Sequence, residues 1–425
     1  MTLRRGAVLV RGLLLGVVGL GAFLIGSNVS HVRSAVHRPP VRPAEVHTRP
    51  APGEVSEPVH ITFGDLPHSL GMAAEFAPQG ALIIGAGEMV LQHEQLFVQF
   101  VSAAHEHAEV IALVNDEEQL MRGQELLCDS NLPEDAARFL VVPVESMWVR
   151  DFGPLFVQCS DGQVRIFDTV YAQDDGDEDS LDVDNDVPRA LGTVMKLPVV
   201  RMKLRIEGGN LLNNGDGLCV TSTTPIGVNA SHGLVDTGVA EELSQLGFRR
   251  WLYLRPLEGE PTGHVDMFVQ FLAPNVVVVG QYDPSEDPVN AAICDEAAAT
   301  LAREDTSAGP MQVHRIPMPA HSEENWRTYT NGVLLDGAAL IPVYSGVDPN
   351  TEAEALAVYR KLLPGRKIVP INCDSVIPLG GALHCVSMNV PKFVPLTHLQ
   401  HDLSDLAPGV RDLSRKPIPG LAGVR

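Results

Sequence analysis

Cys385 stands in the stretch PLGGALHCVSMNVP, residues 378–391, where a His-Cys pair follows a glycine turn and enters an apolar run. A thiol is the most nucleophilic common side chain near neutral pH once it ionises, and a neighbouring cation lowers its pKa. Alone, a cysteine in a strand is more often a small buried hydrophobe. Four polar clusters upstream weigh against that plain reading: WVRDFGP at 148–154, EGGN at 207–210, TGHVD at 262–266 and YTN at 329–331. Asp151 is fixed between Arg150 and a Phe-Gly-Pro turn. Asp266 follows His264 by two, which on a strand places both on one face. With Glu207 as a further acid, these carboxylates, a His and a thiol form an odd set for a protease. They suit a guanidinium, whose planar fork of N–H donors is satisfied by paired carboxylates and whose charge offsets their repulsion. The same cation favours the thiolate of Cys385. Each cluster has a structural reading of its own: a turn-bracing ion pair, a tight turn, a satisfied core pair. A zinc site from His264, Asp266, His384 and Cys385 is the competing chemistry, and no HExxH or paired-Cys spacing supports it.

The elements that carry these clusters repeat. Helical patterns precede β-rich runs five times: 94–107 before VIALV, 116–128 before FLVVPV, 239–246 before Trp251, 289–304 before VHRIP and 351–363 before KIVPI. Between them, hairpins turn at Asp161-Gly162, Asn214 to Gly217, Pro274-Asn275 and Asp336-Gly337. A polar cluster precedes each hairpin, and the His384-Cys385 pair completes a set of five. Units that deliver one cluster each at the same point of the first strand would, on closing into a ring, gather all five at one centre.

The chain has 425 residues and a formal net charge of −22. Its first 57 residues hold seven Arg and three Glu, a net +4, leaving −26 on the remainder. Such a body repels nucleic acid and attracts cationic partners. Residues 1–26, with arginines before an uncharged apolar run, read as a signal peptide or a membrane anchor over residues 7–26. They predict an exported or membrane-anchored protein. Residues 27–58 have a Pro-rich linker composition, and 399–425 read as a C-terminal tail. The six cysteines show no CxxC, and most are expected to be free, buried and structural. Residues 174–186 hold eight acids among thirteen, which could select cationic substrates or, through DVDND, form a calcium site lacking the usual glycine and distal Glu.

In the order WxRDxGP, EGG, GHVD, YxN and GGxxHC, the chain resembles the agmatine deiminase and bacterial-type peptidylarginine deiminase family of the guanidine-modifying superfamily, over roughly residues 59–396. The resemblance implies an α/β fold, a five-bladed α/β-propeller of ββαβ-like units over residues 59–398. It implies Cys385 as nucleophile, His264 as general acid/base, Asp151 and Asp266 as the guanidinium-holding carboxylates and Glu207 as a further acid. Trp148, Arg150, Asn210, Asn331 and Gly381 would bind substrate. No cofactor or metal is expected. Two departures bear on substrate: Glu145-Ser146 replace an Asn-Asp pair before the tryptophan, and the acidic segment replaces arginines that hold a peptide's terminal carboxylate. The expected activity is deimination of arginine in proteins or peptides, with agmatine as the alternative and a non-catalytic binding module as the third reading.

Overall fold

The computed structural model describes residues 71–171, 182–321, 325–400 and 411–412. The leader, the Pro-rich stretch, residues 174–181 of the acidic segment and most of the tail lie outside them.

Short capping signals start the longer helices. Asp116, Asp287 and Asp348 each cap one, their side chains accepting from the backbone of Gln119, Asn290 and Asn350, and proline occupies the first turn after the latter two. The parallel strands are apolar runs buried on both faces, as in VIALV and VVVV.

The architecture is α/β with mixed sheets, and five of the sheets repeat one plan: an antiparallel pair, then a helix, then a strand added in parallel. Leu155–Gln158 and Val164–Val170 pair, and Val199–Arg205 follows helix Val187–Met195. Leu212–Asn213 and Leu218–Ser222 pair before Arg250–Leu254. Val269–Ala273 and Val276–Gln281 take Gln312–Pro317, and Val333–Leu335 and Ala338–Val343 take Lys367–Asn372. In the fifth sheet the late strand Ser387–Pro391 pairs with Gln79–Gly85, which carries Glu109–Val114 in parallel. That junction ties the two ends of the described chain to one another. Among the described residues no sheet closes on itself.

All five helix-to-strand passages are present, but they do not fall one to a sheet. The first two both feed the fifth sheet, through Glu109–Val114 and Arg138–Val141. The helix serving the first sheet, Val187–Met195, escapes the sequence pattern because it is short and abuts the acidic segment. A second correction concerns the polar clusters, which lie in turns before the strands. Asp151 is in the helical turn Val149–Phe152, and 3-10 turns Gly208–Asn210 and Val265–Met267 hold the next two clusters. His264 and Asp266 therefore meet through a tight turn rather than along one strand face, and Cys385 precedes its strand.

All six cysteines are free, with Cys219, Cys294, Cys373 and Cys385 buried. No described helix is long and apolar enough to cross a membrane.

Candidate active site

Each cluster touches the next. The peptide between Arg150 and Asp151 lies so close to Gly208 that a Cβ there would fall 2.1 Å from the Arg150 carbonyl oxygen. Asn210 Oδ1 accepts from Val265 N at 3.2 Å, and Thr330 Oγ1 donates to Asp266 O at 3.0 Å. His384 N donates to Asn331 O, and Arg150 N donates to Cys385 O, both at 3.1 Å. The circuit of five turns is closed.

At its middle lie Cys385, His264 and Asp266, with exposures of 2%, 1% and 1%, beside Glu207 at 6% and Asp151 at 7%. Glu207 Oε2 holds His264 Nε2 at 2.5 Å, which leaves Nδ1 as the ring nitrogen available for chemistry, 3.8 Å from Asp151 Oδ1. Asp266 Oδ2 accepts from His384 Nδ1 at 2.6 Å and Asn331 Nδ2 at 3.0 Å, and Asn331 Nδ2 also donates to Cys385 Sγ at 3.2 Å. Among the described residues Asp151 Oδ1, Glu207 Oε1, Asp266 Oδ1 and His264 Nδ1 are buried without a hydrogen-bond partner. The three carboxylate oxygens are buried acceptors left unpaired, which is expensive, so they are built to receive a ligand rich in N–H donors.

The charges agree with that. Burial pushes the Cys385 thiol up, and Asp266 and Asp151 push it further, with only the Asn331 donor and a backbone N–H opposing them. Burial likewise raises Asp151, helped by Glu207 and Asp266 and opposed by His264 and Arg150. His264 is raised: burial disfavours its charge, but Asp151, Glu207 and Asp266 together outweigh burial. The centre therefore holds a protonated thiol beside an excess of carboxylate.

The predicted site residues divide. Cys385, His264, Asp151, Asp266 and Glu207 converge, and Asn331 joins them as a bracket between carboxylate and thiol. Its Oδ1 accepts from the backbone N–H groups of Ala382, His384 and Cys385. Trp148 is part-exposed and packs on Gly381, where a Cβ would fall 2.6 Å from the indole and 2.9 Å from Cys385 Sγ. Only glycine leaves the sulfur that space. Arg150 and Asn210, expected to bind substrate, are committed elsewhere. Arg150 is 3% exposed and bonds Glu75, Asn389 and His384 O, while Asn210 Oδ1 is taken up by Ser222 N and Val265 N. Two residues near the centre escape sequence reading. Glu75 lies before the first motif with no motif of its own, and the Tyr171 phenol, feeling the charges of Asp151, Glu207 and Cys385, carries no pattern that marks it.

The atoms of Asp151, Glu207 and His264 all lie within 4.8 Å of one another, so this trio, and not the zinc quartet weighed from sequence, is where a divalent cation could sit. Two side chains of the DVDND stretch are engaged within the protein. Asp184 is buried and accepts from Glu145 N, Ser146 N and Ser146 Oγ, and Asn185 Oδ1 accepts from Tyr171 N.

The sequence model of the Porphyromonas-type peptidyl-arginine deiminase family matches residues 72–391. A Streptomyces coelicolor protein provisionally named agmatine deiminase is 27% identical over 59% of this chain and 77% of its own length. One from Vibrio parahaemolyticus, of the same provisional name, is 23% identical over 60% and 78%. A crystal structure of a provisionally named arginine deiminase from Porphyromonas gingivalis superposes with a TM-score of 0.66 at 25% identity, covering 76% of this chain and 98% of that one. C. jejuni agmatine deiminase with substrate bound shares the fold, with a TM-score of 0.63 at 21% identity over 78% and 97% of the two chains.

Proposed function

Because the chain belongs to the Porphyromonas-type peptidyl-arginine deiminase family, and is a hydrolase acting on C–N bonds, we propose that it deiminates agmatine to its ureido product through a covalent intermediate on Cys385. The observation that carries the guanidinium chemistry is the set of orphaned buried carboxylate oxygens, Asp151 Oδ1, Glu207 Oε1 and Asp266 Oδ1, with His264 Nδ1 unpaired beside them as a proton donor. A planar cation with N–H donors on every edge answers those oxygens and offsets the charges of Asp151 and Asp266. Burial and those two carboxylates hold Cys385 as a thiol, so binding of the cation lets the sulfur ionise, its proton passing to solvent. The thiolate attacks the guanidinium carbon, and the His264 imidazolium donates its Nδ1 proton to the departing ammonia, leaving a thiouronium. His264, now neutral, takes a proton from water as it adds; collapse expels the Cys385 thiolate and forms the carbonyl of a neutral urea, the remaining hydroxyl proton passing to the released ammonia to give ammonium. The urea no longer pairs with the carboxylates, and it leaves.

The sequence by itself favours arginine in peptides, from the leader; the names of the curated relatives weigh towards agmatine. Arginine in peptides stays as the second reading because the family's own description supports it. We read the five repeated sheets as blades of a five-bladed α/β-propeller, supported by the closed circuit of turns. Export or membrane anchoring through residues 7–26 belongs to the same proposal.

Ammonia release from agmatine, free arginine and blocked arginine peptides tests the substrate, and agmatine is expected to be preferred. Cys385→Ala should abolish turnover with the fold intact, and acid-quenched wild type should carry a mass adduct on the peptide containing Cys385. An active alanine variant would sink the mechanism.

A further inference from the structure

Glu75 belongs to none of the five turns. It lies between the strands Gly71–Met72 and Gln79–Gly85, yet its carboxylate reaches the centre. Oε1 accepts from Arg150 Nη1 at 2.7 Å, and both oxygens lie 2.8 Å from His384 Nε2. The other ring nitrogen of His384 meets Asp266 Oδ2 at 2.6 Å. His384 is 2% exposed and the Glu75 side chain 15%. An imidazole set between two carboxylates satisfies both only by donating from both nitrogens, which makes it an imidazolium. A neutral ring would turn a lone pair onto one carboxylate at under 3 Å. The charged groups facing His384 are Arg150, Glu75 and Asp266. Arg150 opposes its charge, and the two carboxylates sustain it. The mechanism above has no use for this buried His, although it adjoins the nucleophile.

We infer, resting on the deiminase reading, that Glu75 is a positioning residue of the active site: it keeps His384 cationic, so that His384 and Asn331 together hold Asp266 Oδ2 and leave Oδ1 to the guanidinium beside the sulfur. Glu75 itself stays ionised: burial resists its charge, but Arg150 and His384 overcome burial and bring it down to about 2. A segment outside the motifs thus completes the site. Remove its charge and His384 faces a guanidinium with one carboxylate left, and its proton is held less tightly. The working form is the protonated one, so activity is kept at low pH and lost as pH rises through the lowered value.

The test is Glu75→Gln, which keeps the shape and one acceptor oxygen and removes the charge. Ammonia release is measured from about pH 5.5 to 9, and the His384 ring is followed by NMR titration, which reads the placement without turnover. The alkaline limb of kcat/KM should move down by about one to two units, with a loss on the alkaline side up to roughly ten- to hundredfold larger than near pH 6, the scale of one charged hydrogen bond. His384 should stay protonated through neutral pH in wild type and titrate in the variant, and Glu75→Asp should restore part of the limb. In a His384→Gln background, Glu75→Gln should add nothing. A uniform loss at every pH, an unchanged profile or additive effects in the double variant would each reduce Glu75 to a brace for Arg150. A wild type that turns over no guanidinium substrate while His384 titrates as described would overturn the deiminase reading and leave the positioning intact.

Discussion

The two sides of the centre are built on opposite principles. On the side of Asn331, His384, Arg150 and Glu75, polar groups are tied into a dense network: Asn331 alone serves Asp266, Cys385 and three backbone N–H groups. On the side of Asp151, Glu207 and His264, each side chain keeps a buried atom without a partner among the described residues. Asp266 stands at the border, Oδ2 saturated and Oδ1 open. A saturated network stabilises and fixes geometry, whereas an unsaturated one stores a desolvation penalty that the right ligand relieves. The first side positions; the second binds.

The contrast breaks or holds on paired measurements of activity and stability. Asp151→Asn, on the open side, should lower kcat/KM by about 3–5 kcal/mol, since it removes one partner of a buried charge pair that forms only with substrate. Its Tm should not fall, because the free enzyme loses a buried carboxylate crowded by Glu207 and Asp266. A drop in Tm together with near-normal kcat/KM would place Asp151 among the braces instead.

Asn331→Ala tests the saturated side and should do the reverse in emphasis. It strips acceptors from three backbone N–H groups and a donor from Asp266, so unfolding free energy should fall by about 1–3 kcal/mol and activity with it. Urea denaturation with unchanged slope would give the figure. Stability equal to wild type would mean that this network is not the brace described.

Thiol reactivity links the two sides. Burial, with Asp266 and Asp151 adding to it, holds Cys385 protonated, so a neutral haloacetamide should alkylate it slowly near pH 8 and faster as pH rises through its raised value. A cationic haloamidine, which answers the same carboxylates, should react at least about tenfold faster, one unit of pKa being a factor of ten. Equal rates for the two reagents would separate the thiol from the carboxylates.

How far the sequence foretold this follows the same division. The open side was legible because its residues sit in short motifs at repeated positions: Asp151 before Phe-Gly-Pro, Glu207 before Gly-Gly, His264 and Asp266 in one turn. The hairpins were legible from Asp-Gly and Asn-Gly turns, where the glycines 162, 215 and 337 do adopt positive φ. On the saturated side the motifs showed Asn331, His384 and Arg150 but not what they pair with, since Glu75 meets Arg150 and His384 across separations of 75 and 309 residues. Local pattern carries no record of such pairs, and for the same reason Arg150, which looks like a ligand in WVRD, is a brace.

The smallest effect should come from Asp184, which acts on the open side from outside. Its carboxylate accepts from Glu145 N at 2.7 Å, Ser146 N at 3.4 Å and Ser146 Oγ at 2.8 Å, and so pins the stretch that leads into Trp148. Burial raises its pKa while those donors lower it. Trp148 in turn packs over Gly381 beside the sulfur. Asp184→Asn keeps the shape and one acceptor oxygen but loses the charge assistance of the others, about 1 kcal/mol. Loosening the approach to Trp148 affects how substrate is received more than how it reacts, because neither Cys385 nor His264 bonds to Asp184. KM for agmatine should therefore rise by roughly fivefold, the equivalent of that 1 kcal/mol, with kcat within about twofold of wild type. Steady-state kinetics at one pH suffice. A fall in kcat with KM unchanged would show that Trp148 positions the reacting carbon itself, and would move it from the binding side to the positioning side.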